Sequence, residues 1–189
     1  MRVVAGRHRG RRLATPSGPG VRPTSERVRE ALFDVLAHNP YGPGGATLPR
    51  GAAVVDAFAG SGALGFEALS RGATHVTFID DDAEALRFLR RNAHTLDDEE
   101  AVTILSRDAT LPGPAPAPCA LAFLDPPYRS GLAGPALAEL AKMGWLTGGA
   151  LSVIELAARE PFDPPAGFEA VDDRRYGDTR VVFLTWFRE

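Results

Sequence analysis

The chain has 189 residues, a formal net charge of −3, one cysteine and four histidines, a length that fits one domain with a real core and a small appendage. A lone Cys119 excludes an intramolecular disulfide framework and a thiolate metal cluster, in keeping with a reducing cytoplasm. His8, His38, His75 and His94 show no metal-ligand spacing, no window of about 20 apolar residues offers a membrane span, and Met1–Gly6 lacks the apolar stretch of a signal peptide.

Residues 1–30 carry eight Arg (2, 7, 9, 11, 12, 22, 27 and 29) against Glu26 and Glu30, a balance of +6 that leaves −9 for the rest. A basic arm on an acidic body points to phosphate contact, because Arg displaces counterions from a nucleic acid; a solvated charge run is the alternative. Arg2 to Ala14 alternates weakly and contains Gly6 and Gly10, which predicts a short, exposed hairpin bearing Arg7, His8, Arg9, Arg11 and Arg12. Thr15 to Pro23 is a connector rich in Pro and Gly. Thr24 is the expected N-cap of a helix, with Glu26 in the first turn where the dipole favours an anion. Val28, Ala31, Leu32, Val35 and Leu36 form one apolar face of that helix, and Asn39 to Gly51 reads as a loop. Residues 1–50 are expected to be an N-terminal extension, and 51–189 one compact unit.

From Ala52 the pattern alternates between strand and helix. Short strands are expected at Ala53–Val55, His75–Ile79, Val102–Leu105, Ala120–Leu124 and Leu151–Leu156. Helices are expected from the glycine-rich turn Gly60–Gly65 to Arg71, from Asp80-Asp81-Asp82 to about His94, and from about Gly134 to Met143. Leu111 to Pro118 is a proline-rich connector, and Gly177-Asp178 signals a hairpin between Phe168–Tyr176 and Thr179–Phe187. The whole predicts an α/β fold with a mainly parallel sheet and an antiparallel C-terminal hairpin. Trp145 and Trp186 are read as core.

Two stretches carry chemistry. In Asp56-Ala57-Phe58-Ala59-Gly60-Ser61-Gly62-Ala63-Leu64-Gly65, glycines sit between strand and helix, and Asp80 ends the next strand. Gly60 and Gly62 allow a tight turn and close approach of a ligand to the backbone, and Gly65 allows helix to pack on strand. Asp80 is placed to accept hydrogen bonds from ribose hydroxyls, a feature shared by NAD and S-adenosylmethionine. Asp56 helps to separate the two, since a carboxylate repels a pyrophosphate and favours a sulfonium and an ammonium. Asp108-Ala109 is placed to bond an adenine amine, or merely to cap its loop. The second stretch, Asp125-Pro126-Pro127-Tyr128, ends a buried strand in a stiff corner. It presents a carboxylate, fixed carbonyls and a ring at the sheet edge where ligands bind.

These residues resemble the RsmD-type methyltransferases, which use S-adenosylmethionine to methylate guanine N2 in bacterial 16S ribosomal RNA. The likeness runs through Arg2–Leu13, Arg22-Pro23-Thr24, Arg27–Phe33, Asp56–Gly65, Glu67–Ala73, Asp125–Tyr128, Gly144–Leu146, Glu155, and Tyr176-Gly177 with Thr179. It departs at Glu26 and Asp34, where Asp and Asn are expected, and at Ala157–Gly167, whose three prolines leave little room for a helix. The resemblance implies a class I methyltransferase, Rossmann-like, with a seven-stranded sheet. It further implies a cofactor site of Thr24, Asp56, Phe58, Gly60, Gly62, Asp80, Asp108 and Ala109. Asp125 and the Pro126 carbonyl would hold the amine, with Pro127 stiffening the corner and Tyr128 stacking on the base. Arg7, Arg9, Arg11, Arg12 and Arg22 would grip 16S rRNA in the assembled or assembling small subunit, with the enzyme a cytoplasmic monomer that uses no metal. The rivals are a DNA adenine-N6 methyltransferase, an NAD-dependent oxidoreductase, and an RNA-binding protein with a relic pocket.

Overall fold

The computed structural model describes residues 1–16 and 25–187. Helix α1 (Glu26–His38) is capped by Ser25, whose hydroxyl accepts from the Val28 N–H at 3.2 Å. The cap is therefore one residue later than expected; Thr24 lies outside the described residues, as does Arg22. Either hydroxyl suits a cap, so local sequence could not choose between them. Starting at Ser25 leaves Val28, Leu32, Phe33, Val35 and Leu36 buried.

Strands β1 (Ala53–Ala57), β2 (His75–Asp80), β3 (Val102–Ser106), β4 (Cys119–Leu124), β5 (Leu146–Ala157), β6 (Phe168–Tyr176) and β7 (Thr179–Trp186) form one sheet in the order β3-β2-β1-β4-β5-β7-β6. The first five pair in parallel, and β7 runs antiparallel between β5 and β6. This is the class I Rossmann-like α/β order implied by the motifs. Strand β5 starts five residues earlier than its apolar run, because Gly148 and Gly149 are absorbed into an irregular stretch opposite Cys119 and Leu121.

Alternation along the strands separates two cores. Val54, Phe78, Leu121, Phe123 and Val153 face α1, α2 (Ala63–Ser70) and α3 (Ala83–Leu96), while Val55, Ile79, Ala122, Leu124 and Ile154 face α4 (Ala133–Lys142) and the buried Trp145. The second face holds one helix among the described residues. The connectors 107–118 and 158–167 are proline-bearing and contain no helix, as the departure at Ala157–Gly167 implied. Strand order reverses between β1 and β4, so their carboxyl ends open a crevice, the usual ligand position in such sheets.

The first residues form a short antiparallel hairpin whose Arg7, Arg9, Arg11 and Arg12 are exposed, as expected, whereas His8 is buried. Their ladder shrinks to one bridge, Arg2 to Arg12, and Val3 and Leu13 are buried in the first core. Glu67 explains the docking. From the middle of α2 it accepts the Val4 and Ala5 N–H groups at 2.8 and 3.0 Å, pairs with Arg71 at 2.8 Å, and lies 3.5 Å from the fully buried Arg29 of α1. Gly6 passes so close to α2 that a Cβ there would stand 1.9 Å from the Ser70 carbonyl oxygen.

Candidate active site

The glycine turn is knitted together by the two carboxylates that flank it. Asp56, near the end of β1 and 2% exposed, accepts the Gly65 N–H at 2.9 Å. Asp80, ending β2, accepts the Gly60 N–H at 2.7 Å and the Asp82 N–H at 2.9 Å. Phe58, Gly60 and Gly62 all have positive φ (59°, 54° and 80°), and Gly62 caps α2 in the left-handed region. Gly65 lets α2 sit against β2, since a Cβ there would stand 2.3 Å from the Phe78 ring.

A cavity of about 390 Å³ lies over this turn, within the size range of small-molecule sites. Asp56, Asp80, Asp82, Glu84 and Asp125 line it, together with Phe58, Gly60 and Ser61; among the described residues no Lys, Arg or His belongs to the lining. Burial pushes the Asp56 carboxyl up to about 8, against the lowering effect of its Gly65 bond, and burial also raises Asp80. A cationic ligand reverses this cost by restoring a partner to the buried charge.

Beside it, a smaller cavity of about 180 Å³ is bordered by Phe58, Asp80, Asp81, Asp108, Ala109, Pro127 and Leu132. Asp108 caps its own loop, one carboxylate oxygen accepting from the Thr110 N–H and hydroxyl at 2.7 Å each, and it borders this cavity.

Strand β4 pairs in parallel with β1, so Asp125 emerges beside the glycine turn, its N–H 3.4 Å from the Ala57 carbonyl. Pro126 is buried, and Pro127 and Tyr128 are exposed. Sequence reasoning missed what holds the ring. The Tyr128 hydroxyl donates to Glu155 of β5 at 2.8 Å and lies 3.1 Å from the Thr179 hydroxyl at the start of β7. Burial, the main cause, and the neighbouring Glu155 carboxylate raise the Tyr128 phenol, so it stays a donor. Arg129 follows at a positive φ of 60°, its N–H fixed by the buried Glu160 at 2.9 Å. Both Glu155 and Thr179 belong to stretches of the resemblance, which was the only signal that could have found them.

The arm's arginines are split. Arg7 pairs with Asp98 at 2.6 Å and Arg11 donates to the Thr95 carbonyl, both at the far end of α3 from the cavity. All four, Arg9 and Arg12 included, are exposed. The arm's last described residues, Thr15 and Pro16, line the main cavity, guided there by Asn92, which bonds Ala14 and the Ser61 carbonyl.

A family model described as Conserved hypothetical protein 95 matches residues 1–185. The chain is 39% identical over 155 residues to ribosomal RNA small subunit methyltransferase D of Escherichia coli (strain K12), covering 82% of this chain and 74% of that one. It is 35% identical over 181 residues to the protein of the same name in Haemophilus influenzae, covering 94% and 89%. A solved Escherichia coli structure, yhhF, superimposes with a TM-score of 0.84 at 32% identity, covering 100% of this chain and 99% of that one.

Proposed function

The chain belongs to the Conserved hypothetical protein 95 family, the RsmD-type methyltransferases, and from that premise we propose that it moves a methyl group from S-adenosylmethionine to the exocyclic N2 amine of a guanine in 16S rRNA. One observation carries the reading: Asp125 lines the same cavity as Asp56 and the glycine turn. The group suited to an amine and the groups suited to a cationic donor thus share one chamber.

S-adenosylmethionine fits that chamber. Its sulfonium and ammonium are cations, and five carboxylates line the wall. A dinucleotide would set its pyrophosphate against the same carboxylates, which disfavours the oxidoreductase rival. Asp56 would supply buried negative charge, Asp80 the acceptor for ribose hydroxyls, and Phe58, Asp108 and Ala109 the border of an adenine slot; Gly60 keeps the backbone open, while Gly62, expected at the cofactor, is not in the cavity lining and makes room for Phe66 and Leu89 instead. The cofactor, when bound, supplies an electrophilic methyl group on sulfur. Thr24 is assigned to its methionine carboxylate, and Arg22 to RNA, on the resemblance alone.

An exocyclic base amine is a poor nucleophile because its lone pair is conjugated with the ring. Asp125 and the Pro126 carbonyl each accept one N–H, turning the lone pair towards the methyl group. Positive charge grows on nitrogen as the N–C bond forms, and the Asp125 carboxylate opposes it before a proton leaves to that carboxylate or to solvent. Tyr128, its hydroxyl tied to Glu155, offers a fixed ring to a base rotated out of its stack. Of the arm's arginines, the exposed Arg9 and Arg12 are better disposed for RNA than Arg7 and Arg11, which have protein partners. The working form is a cytoplasmic monomer acting on the assembled or assembling small subunit. The test is to incubate purified chain and isotope-labelled S-adenosylmethionine with small-subunit rRNA from a deletion strain and digest it to nucleosides. Label in N2-methylguanosine is the expected result; label only in adenine, or only when DNA replaces RNA, overturns it.

A further inference from the structure

A third cavity, of about 360 Å³, lies between the first turn of α1 and the β6–β7 turn, lined by Ser25, Arg27, Val28, Arg175, Tyr176 and Gly177. Its charge is the reverse of the main cavity's: two exposed guanidiniums and no carboxylate among the described lining residues. Of the acidic neighbours in sequence, Glu26 accepts from the Arg2 N–H at 3.0 Å and Asp173 pairs with Arg180 at 2.7 Å. The cavity also adjoins the Tyr128 corner. Tyr176 pairs across the hairpin with Thr179, whose hydroxyl is 3.1 Å from that of Tyr128. Facing residues in an antiparallel pair have Cα atoms about 4.5–5.5 Å apart, so the guanidinium-lined wall begins one strand pair from the ring.

Resting on the methyltransferase reading above, we propose that this cavity is a phosphate subsite. In it, Arg27 and Arg175 clamp the backbone phosphate of the RNA strand next to the nucleotide seated on Tyr128. A base turned out of its stack brings its own phosphodiester linkages with it, and these must lie beside the ring on the side away from the cationic donor's acidic chamber. Paired guanidiniums on two separate elements match the planar, bidentate recognition of phosphate oxygens. The division is electrostatic. Carboxylates collect on the cofactor side of Tyr128 and guanidiniums on the other, so each ligand is repelled from its neighbour's site. The contact reads no sequence; it fixes the register of the strand.

The test compares full-length wild type, Arg27→Ala, Arg175→Ala, the double variant and Arg175→Lys, with small-subunit rRNA from a deletion strain as substrate. Both arginines are exposed, so cofactor affinity, measured by calorimetry with S-adenosylhomocysteine, serves as the check on folding. Each alanine variant is expected to raise KM for rRNA about tenfold and to flatten the dependence of log K on log salt by about 1, the signature of one lost phosphate contact. Arg175→Lys should keep the salt slope, and cofactor affinity should not change. Unchanged KM and salt slope in the double variant, with wild-type methylation intact, would overturn the clamp and leave the activity standing. Wild type that fails to methylate rRNA at all would overturn the activity instead.

Discussion

Helix α2 meets the rest of the molecule differently at its two ends. Its entry, at Gly60, Gly62 and Gly65, works by lacking side chains: Gly60 leaves the cavity open, Gly62 and Gly65 make room for Phe66 and Phe78, and the carboxylates of Asp56 and Asp80 are tied to N–H groups of the turn. Its last turn works by filling space. Glu67 and Ser70 grip the N-terminal arm, with the Ser70 hydroxyl donating to the Ala5 carbonyl at 2.5 Å, and Arg71 pairs with Glu67 and lies over the Phe33 ring of α1. One end holds room for a ligand and the other is a closed internal interface, although the family resemblance runs through both without a break. A sequence signature can thus be specific to a family and still mix chemistry with architecture.

Substitutions should separate these two roles. The largest effect on rate is expected from Asp125→Ala, which removes the group that orients the amine and faces its developing charge. Turnover should fall about 10²–10³-fold or more, with cofactor affinity and melting temperature nearly unchanged. Retained activity on RNA would remove Asp125 from its role. Glu67→Ala should do the opposite. Losing the partner of a buried cation typically costs about 3–5 kcal/mol, and Arg29 is fully buried. Chemical denaturation should show that loss, while turnover per folded molecule stays within a few-fold of wild type. If Glu67→Ala lowers turnover without lowering stability, the division between the two ends of α2 is wrong.

A smaller effect is expected from pH. Asp56 is held protonated up to about 8 by burial, whereas a cationic cofactor requires its carboxylate. Affinity for S-adenosylmethionine should therefore strengthen as pH rises towards 8, by up to about tenfold per unit, and then level off. In the absence of ligand the folded state binds this proton more tightly than the unfolded chain does. That contribution to stability is full below the ordinary carboxylate range and disappears as pH rises through 8. Calorimetric titrations between pH 6 and 9 with Asp56→Asn as control check the first claim; a flat wild-type profile contradicts it. The smallest effect should come from Tyr128→Phe, which keeps the ring and cuts its tie to Glu155. A few-fold rise in KM for RNA with little change in cofactor affinity is expected, and a much larger loss would mean that the hydroxyl takes part in chemistry.

Much of the fold was legible because it is written locally. Short apolar runs, glycine after α2 and α4, and the Gly177-Asp178 turn mark most of the strands, and Asp82 caps α3 through the Ala85 N–H. The glycine turn and Asp125–Tyr128 were legible for the same reason, as contiguous motifs. What stayed hidden depends on residues far apart in the chain. The tether of Tyr128 spans 27 residues to Glu155 and 51 to Thr179, and the Arg7–Asp98 pair spans 91. Glu67 reads as a solvated helix residue, yet nearly all of α2 is buried, leaving it no polar face to occupy. The exposed-hairpin expectation did not foresee that one side of the hairpin docks, burying Val3, His8 and Leu13. The arm's charge was visible in the sequence, while the buried carboxylate that draws its backbone onto α2 was not recognisable as such.

The central claim is methyl transfer to the N2 amine of a guanine in small-subunit rRNA, and nucleoside mass spectrometry of that rRNA from a deletion strain tests it most directly. The predicted result is loss of one N2-methylguanosine, restored by the wild-type chain and left absent by Asp125→Ala. An unchanged N2-methylguanosine level, together with loss of N6-methyladenine from DNA, would contradict the account.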